Sequence, residues 1–300
     1  MGEKEKKFLA DLQSDNADVR YAAWALGGEM DPGVLPELAK LIAGSKPGVA
    51  KAAGEALNRL VHSVGKEPSG ARRQAVVRGL IAWLNPKQPA WVRTVALRHL
   101  SLVGGEDVVA AVAPLLAGAD LREEAVFCIE RIPGKTSANA LMAAAKSVPD
   151  DFKPRLLAAL GHRGDKEAAD LCAGLMQSPN AEIAMAGMKA LARIGVKPSV
   201  GLSAPSTGAL TEWQLLEFAD SALRYAGALA RQGATADAVK LYQFALARPE
   251  EHLQCAAIIG IATFGTAEAA ALIFPKLKSS DPNVRRTAQK AWDSLKGPAS

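Results

Sequence analysis

Aromatic residues make up only 5% of this 300-residue chain, and there are only three cysteines. Cys128, Cys172 and Cys255 are odd in number and far apart, and each sits in an apolar helical pattern. That excludes a disulfide framework and reads as three buried thiols acting as small hydrophobes. Runs that alternate Val, Ile, Thr or Tyr with polar residues are missing, which disfavours sheet. The longest apolar run, CAAIIGIATFG (255–265), is too short to cross a bilayer. The opening MGEKEKKFLADL carries no apolar signal core. Charge of one sign is scarce too: 36 basic against 31 acidic residues leave a net charge of +5. Such an excess permits a nucleic-acid or acidic-lipid partner without arguing for one.

What the chain has is alanine, leucine and a period. NADVRYAAWAL (16–26) returns near the other end as DPNVRRTAQKA (281–291). Equivalent helix starts fall at Val19, Val49, Val92, Leu121, Phe152, Ile183, Leu253 and Val284, at intervals of 30, 43, 29, 31, 31, 70 and 31 residues. The 43 reads as one unit with an enlarged loop, SVGKEPSG (63–70), and the 70 as two longer units. Four residues after most starts stands a small residue: Ala23, Ala53, Ala96, Ala125, Gly187, Ala257 and Ala288, with Leu156 the exception. Eight residues after stands a larger apolar one in most cases, such as Leu57, Leu100, Ile129, Leu160, Leu191, Ile261 or Trp292. This row lies on one helix face, and its small central residue lets a neighbour approach closely. Shorter apolar segments, VLPELAKLIA (34–43), VVAAVAPLLA (108–117), EAADLCAGLM (167–176) and AEAAALIFPKL (267–277), predict partner helices bounded by Gly, Ser, Asp and Pro turn signals. Hairpins of about thirty residues that can bury their apolar faces only against each other make a solenoid.

The pattern D-x-x-V-R-x-x-A-x-x-A-L, carried by NADVRYAAWALGG, QPAWVRTVALRHLSLVGG, SPNAEIAMAGMKALARIG and DPNVRRTAQKAWDSL, resembles the short bacterial HEAT repeat over 9–196 and 250–297. The stretch from Ala111 to Cys172 is similar to secreted HEAT-repeat proteins of planctomycete and verrucomicrobial bacteria, which have no assigned reaction. The resemblance implies an all-α, HEAT/armadillo-like α-solenoid, a right-handed superhelix of about nine hairpins. It implies HEAT-like repeats over 1–197, a loop over 198–210, a longer hairpin over 211–249 and further repeats over 250–300, in one continuous stack. The hairpin's Gly233, Ala238, Tyr242, Ala245 and Pro249 resemble the second half of a tetratricopeptide unit. Export to the periplasm is expected if a natural leader preceded Met1, and a cytoplasmic location otherwise.

Candidate chemistry is sparse. His62, His99, His162 and His252 form no H-x-x-x-H pair and no cysteines have C-x-x-C spacing. HEAT-like deoxyhypusine hydroxylase binds iron through His-Glu dipeptides; here Glu251-His252 is the reverse, so no metal or other cofactor is expected. Gly134-Lys135-Thr136 in IPGKTS lacks the first glycine of a phosphate loop, Ile129 standing in its place, and reads as a turn. Ser203 in GLSAP lacks the second glycine of a nucleophile elbow. The acidic pairs Glu123-Glu124 and Asp150-Asp151 stand at helix starts, where they suit the helix dipole. Arg20, Arg93, Arg122 and Arg285 follow helix-start positions, either as a basic stripe for phosphates or as a structural ladder with Asp18 or Asp281 as acceptors. The expectation is a non-enzymatic scaffold that takes a protein or peptide on its concave face, with Trp24, Arg59, Arg98, Arg131, Arg155, His162 and Arg193 as contacts. A nucleic-acid-binding or DNA-glycosylase-like protein, in which a Trp and an acidic residue hold a nucleotide, is the alternative, and a resemblance to phycobilin lyases a remote one.

Overall fold

A computed structural model describes residues 1–44, 46–66, 70–202 and 210–295, and among these residues there is helix and no strand. The chain divides into two compact units, Met1–Val148 and Pro149–Ser300.

The first unit contains α1 (Glu3–Asp11), α2 (Ala17–Ala25), α3 (Leu35–Ala43), α4 (Pro47–Gly65), α5 (Ala71–Ala82), α6 (Ala90–Val103), α7 (Glu106–Val112), α8 (Arg122–Arg131) and α9 (Lys135–Ser147). Helices α2, α4, α6 and α8 pack side by side in one layer, and α3, α5, α7 and α9 in a second. The second unit contains α10 (Lys153–Arg163), α11 (Ala169–Leu175), α12 (Ala181–Ile194), α13 (Glu212–Arg231), α14 (Thr235–Leu246), α15 (Glu251–Ala262), α16 (Ala267–Ile273) and α17 (Pro282–Leu295). Here α10, α12, α13, α15 and α17 form one layer, against which α11, α14 and α16 pack. Between α12 and α13 the alternation breaks, because both belong to the same layer. This arrangement is an all-α, HEAT-type helical solenoid fold.

The row read from the sequence is the seam between the layers. Val92, Ala96 and Leu100 are fully buried, as are Ala53 with Leu57, Ala125 with Ile129, Leu156 with Leu160, and Ala257 with Ile261. Only the outermost members, Val19 and Trp292, are half-buried. Gly187 shows why the central residue is small. A Cβ there would lie 2.8 Å from the Met176 backbone nitrogen and 2.9 Å from the Cys172 carbonyl oxygen. Proline shapes the partner helices: α7 and α16 each run into a short 3-10 turn, Ala113–Ala117 and Phe274–Lys278, with Pro114 and Pro275 near its start. Proline has no N–H to continue the α-helical ladder.

Helix α4 extends through Val64 to Gly65, so the loop expected over 63–70 is shorter at its start, and residues 67–69 lie outside the described residues. Cys128 and Cys172 are buried, but Cys255 is half-exposed, because it lies off the Leu253–Ala257–Ile261 row. In the segment 198–210, Pro198 and Leu202 are buried, and the Asp170 carboxylate accepts the Ser199 N–H at 2.6 Å; residues 203–209, including Ser203, lie outside the described residues.

Candidate functional site

The arginines at the repeated helix starts were the candidate phosphate stripe. Asn16 caps α2, its side chain accepting the Asp18 N–H at 2.8 Å. Asp281 accepts the Asn283 N–H at 2.8 Å, and Asn180 the Glu182 N–H at 3.0 Å. In each case the cap residue's own N–H donates to a serine hydroxyl two residues earlier: Ser14, Ser279 and Ser178. This one turn, repeated three times, accounts for the likeness between the two ends of the chain. Arg20 then reaches back to the Ser14 and Asp15 carbonyls at 2.7 and 3.0 Å, and Arg285 does the same to Ser279 and Ser280 at 2.6 and 2.9 Å. The acceptors are backbone carbonyls rather than Asp18 or Asp281, and the Asp281 carboxylate instead accepts the Asn283 and Val284 N–H groups at the start of α17. Arg93 faces Asp120 of the next repeat at 3.5 Å. These arginines are committed to structure.

In the first unit, the expected contact residues are engaged with near neighbours. Trp24 is half-buried on α2, with the Arg59 guanidinium 5.3 Å from its ring centroid and Tyr21 edge-on at 4.8 Å. Arg98 makes a two-pronged bond to Glu124 at 2.8 and 3.2 Å, which raises the Arg98 pKa further. Arg131 stacks over Phe127 at 5.2 Å. The layer therefore presents cation–aromatic pairs, held in place and accessible from solvent.

In the second unit, Arg155 and His162 lie on α10 and Arg193 on α12, with His162 and Arg193 exposed. Arg193 lines a cavity of about 360 Å³ formed by Pro154 and Ala158 of α10, Glu182, Met185, Ala186 and Lys189 of α12, and Trp213 and Gln214 of α13. Met185, Lys189 and Arg193 follow at intervals of four along α12, on a different face from the buried Ile183–Gly187–Leu191 row. Thr211 and Gln214 form a reciprocal cap, at 3.3 and 3.0 Å, that fixes the first turn of α13 and hence Trp213, which is 62% exposed. Lys189 and Arg193 also border a second cavity of about 350 Å³ with Glu217, Asp220, Ser221 and Arg224, so the two form one groove along α12 and α13. Lys189 pairs with Glu217 at 2.8 Å and holds its carboxyl below the usual range, while Arg224 pairs with Asp220 at 2.8 Å. Arg193 has no hydrogen-bonding or ion-pair partner among the described residues. Sequence reasoning missed Met185, Lys189 and Trp213; the four-residue spacing on α12 was the available signal.

The remaining candidates have structural explanations. Lys135 and Thr136 open α9 behind the Gly134 cap rather than forming a turn, and the Glu106 carboxylate accepts the Thr136 N–H at 3.3 Å, so an acid already sits against this stretch. Gly134 adopts φ +107°, which a side chain rarely tolerates. Asp150 pairs with Lys153 at 2.7 Å. His99 lies 2.7 Å from the Val95 carbonyl and 2.8 Å from Asn58, and burial lowers its pKa. Among the described residues, no three His, Cys, Asp or Glu side chains converge on a possible metal position.

No family model matches the chain, and no curated protein matches it in sequence. Among solved structures, the chain is similar to Kap121p, with a TM-score of 0.54 at 11% identity over 96% of this chain and 37% of that one. An engineered protein aligns over the whole of both chains at 16% identity with a TM-score of 0.44. A structure of TOG domain arrays of microtubule polymerases aligns over 97% of this chain and 85% of that one, at 9% identity and a TM-score of 0.32. The chain thus spans little more than a third of the length of Kap121p.

Proposed function

We propose that this chain is a non-enzymatic scaffold that binds a protein or peptide through the exposed face of its first helix layer. One observation carries the reading: this face holds aromatic and guanidinium groups fixed in pairs, Trp24 with Arg59 and Phe127 with Arg131. Tryptophan and arginine are the residues most enriched among those that dominate protein interfaces, and fixing them in advance lowers the entropy lost on binding. The solenoid fold supports the reading, since stacked hairpins offer extended binding surfaces. Nucleic-acid binding is less well supported, because Arg20 and Arg285 spend their donors on backbone carbonyls.

The test is affinity capture by the full-length chain from the proteome of the organism that encodes it, with nuclease-treated and untreated arms and a Trp24→Ala/Arg59→Ala double variant. A saturable protein partner that survives nuclease and is lost with the double variant is the expected result. Capture that nuclease abolishes, and that weakens steeply between two salt concentrations, would establish the nucleic-acid reading instead. Recovery of nothing saturable would refute the scaffold.

A further inference from the structure

We infer that the groove between α10, α12 and α13 is a peptide-binding subsite for a segment with one apolar anchor and an acidic residue to one side of it. The inference rests on the scaffold reading and adds to it a second contact site, within the second unit, with a ligand chemistry of its own.

The groove is divided along its length. Its floor and walls are apolar where Pro154, Ala158, Met185 and Ala186 face Trp213. Met185 is unbranched and adapts to irregular shapes, and the Trp213 ring offers a broad flat surface. Most of that ring is uncovered although its backbone is fixed by the Thr211–Gln214 cap. A large aromatic on a fixed backbone, left exposed beside an aliphatic hollow, is what an anchor residue needs on the receiving side.

Charge sets the direction. Glu182 stands at the start of α12 and Arg193 near its end, eleven residues apart, or roughly 16 Å along the axis at the α-helical rise. Lys189, between them, is neutralised by Glu217. Arg193 keeps its full set of donors, and its planar fork suits a carboxylate. A bound acidic side chain is therefore attracted at the Arg193 end and repelled at the Glu182 end. From Met185 to Arg193 is roughly 12 Å along the helix, the span of about four residues of extended peptide. The expected ligand places Leu, Ile, Met or Phe in the hollow and Asp or Glu about four positions away, always on the same side.

Random 12-residue peptides displayed on phage, selected on the full-length chain, test this. The expected outcome is enrichment of that pattern with one fixed polarity. For a synthesised selected peptide, isothermal titration calorimetry should show at least a tenfold loss of affinity with Trp213→Ala and with Arg193→Glu. Affinity should also fall when the peptide's acidic residue is replaced by lysine. Both positions are exposed, so loss of folding does not confound these variants, and circular dichroism checks it. Enriched peptides that are basic or without charge preference overturn the inference, as does the absence of any enrichment. Peptide binding that ignores Trp213→Ala and Arg193→Glu overturns the groove while leaving the scaffold standing, since the peptide then sits elsewhere. Self-association in sedimentation that Trp213→Ala abolishes would assign the groove to a second copy of the chain and also overturn the inference.

Discussion

The sharpest consequence of the packing concerns one methyl group at Gly187. Alanine is the better helix former by about 1 kcal/mol, so Gly→Ala inside a helix normally stabilises. At Gly187 the new Cβ would meet the Met176 nitrogen at 2.8 Å, the Cys172 carbonyl oxygen at 2.9 Å and the Met176 Cα at 3.1 Å. All three are backbone atoms, and none can swing away as a side chain would. The Met176 N–H donates to that same Cys172 oxygen at 2.9 Å, so the methyl would press on the bond that closes α11. Overpacking costs about 1–3 kcal/mol, and a rigid obstacle belongs at the upper end. After the gain in propensity, the net destabilisation of Gly187→Ala is about 1–2 kcal/mol. In a unit of this size each kcal/mol lowers Tm by roughly 2–4 °C. Gly54 in α4 is the control, because a Cβ there meets nothing within 4 Å. Gly54→Ala should stabilise by up to about 1 kcal/mol. Guanidinium unfolding followed by far-UV circular dichroism and tryptophan fluorescence measures both. Equal signs for the two variants, or a Gly187→Ala protein as stable as the parent, would refute the account of the small residue in the row.

Thiol chemistry should separate the cysteines: burial pushes Cys128 and Cys172 up to about 12, so a thiol reagent at neutral pH should label Cys255 in the native protein and all three only after denaturation. Asp237 is buried in the first turn of α14 and its pKa is lowered, first by its bond to Lys197 at 2.9 Å. A depressed carboxyl stabilises above its unfolded pKa of about 3.9, and that contribution is lost as pH falls through the lower folded value. Asp237→Asn should therefore destabilise by about 1–3 kcal/mol at neutral pH, and the difference from the parent should shrink below about pH 4; a pH-independent difference would contradict the pairing. Asn180→Ala removes the cap of α12 and should cost about 1 kcal/mol in chemical denaturation.

How much of this was legible in the sequence depends on the range of the interaction. The Val–Ala–Leu row could be read because a helix repeats its face at fixed spacing, and the burial of Val92, Ala96 and Leu100 follows from it. The partner helices read over 108–117 and 267–277 ran through Pro114 and Pro275, where the structure instead has 3-10 turns, although a proline is as local a signal as the row. The partners of Arg20 and Arg285 were misjudged, because a sequence displays side-chain acceptors and hides carbonyls. Of the seven residues proposed as contacts, Arg193 is the one that lines the groove, since the hollow draws on three helices spread over some sixty residues. Trp213 could not be matched to Met185 before the packing of α12 against α13 was known. Cys255 looked buried because its neighbours are apolar, yet it faces away from the row they form.

The three serine–cap turns at Ser14, Ser178 and Ser279 complete their hydrogen bonds within a few residues of chain. During synthesis, each would be whole as soon as it cleared the ribosome, with no need to wait for downstream repeats. The Arg98–Glu124 clasp, by contrast, must wait for the next repeat to emerge. Folding could then start independently at three places along the nascent chain and spread outward by docking one helix at a time.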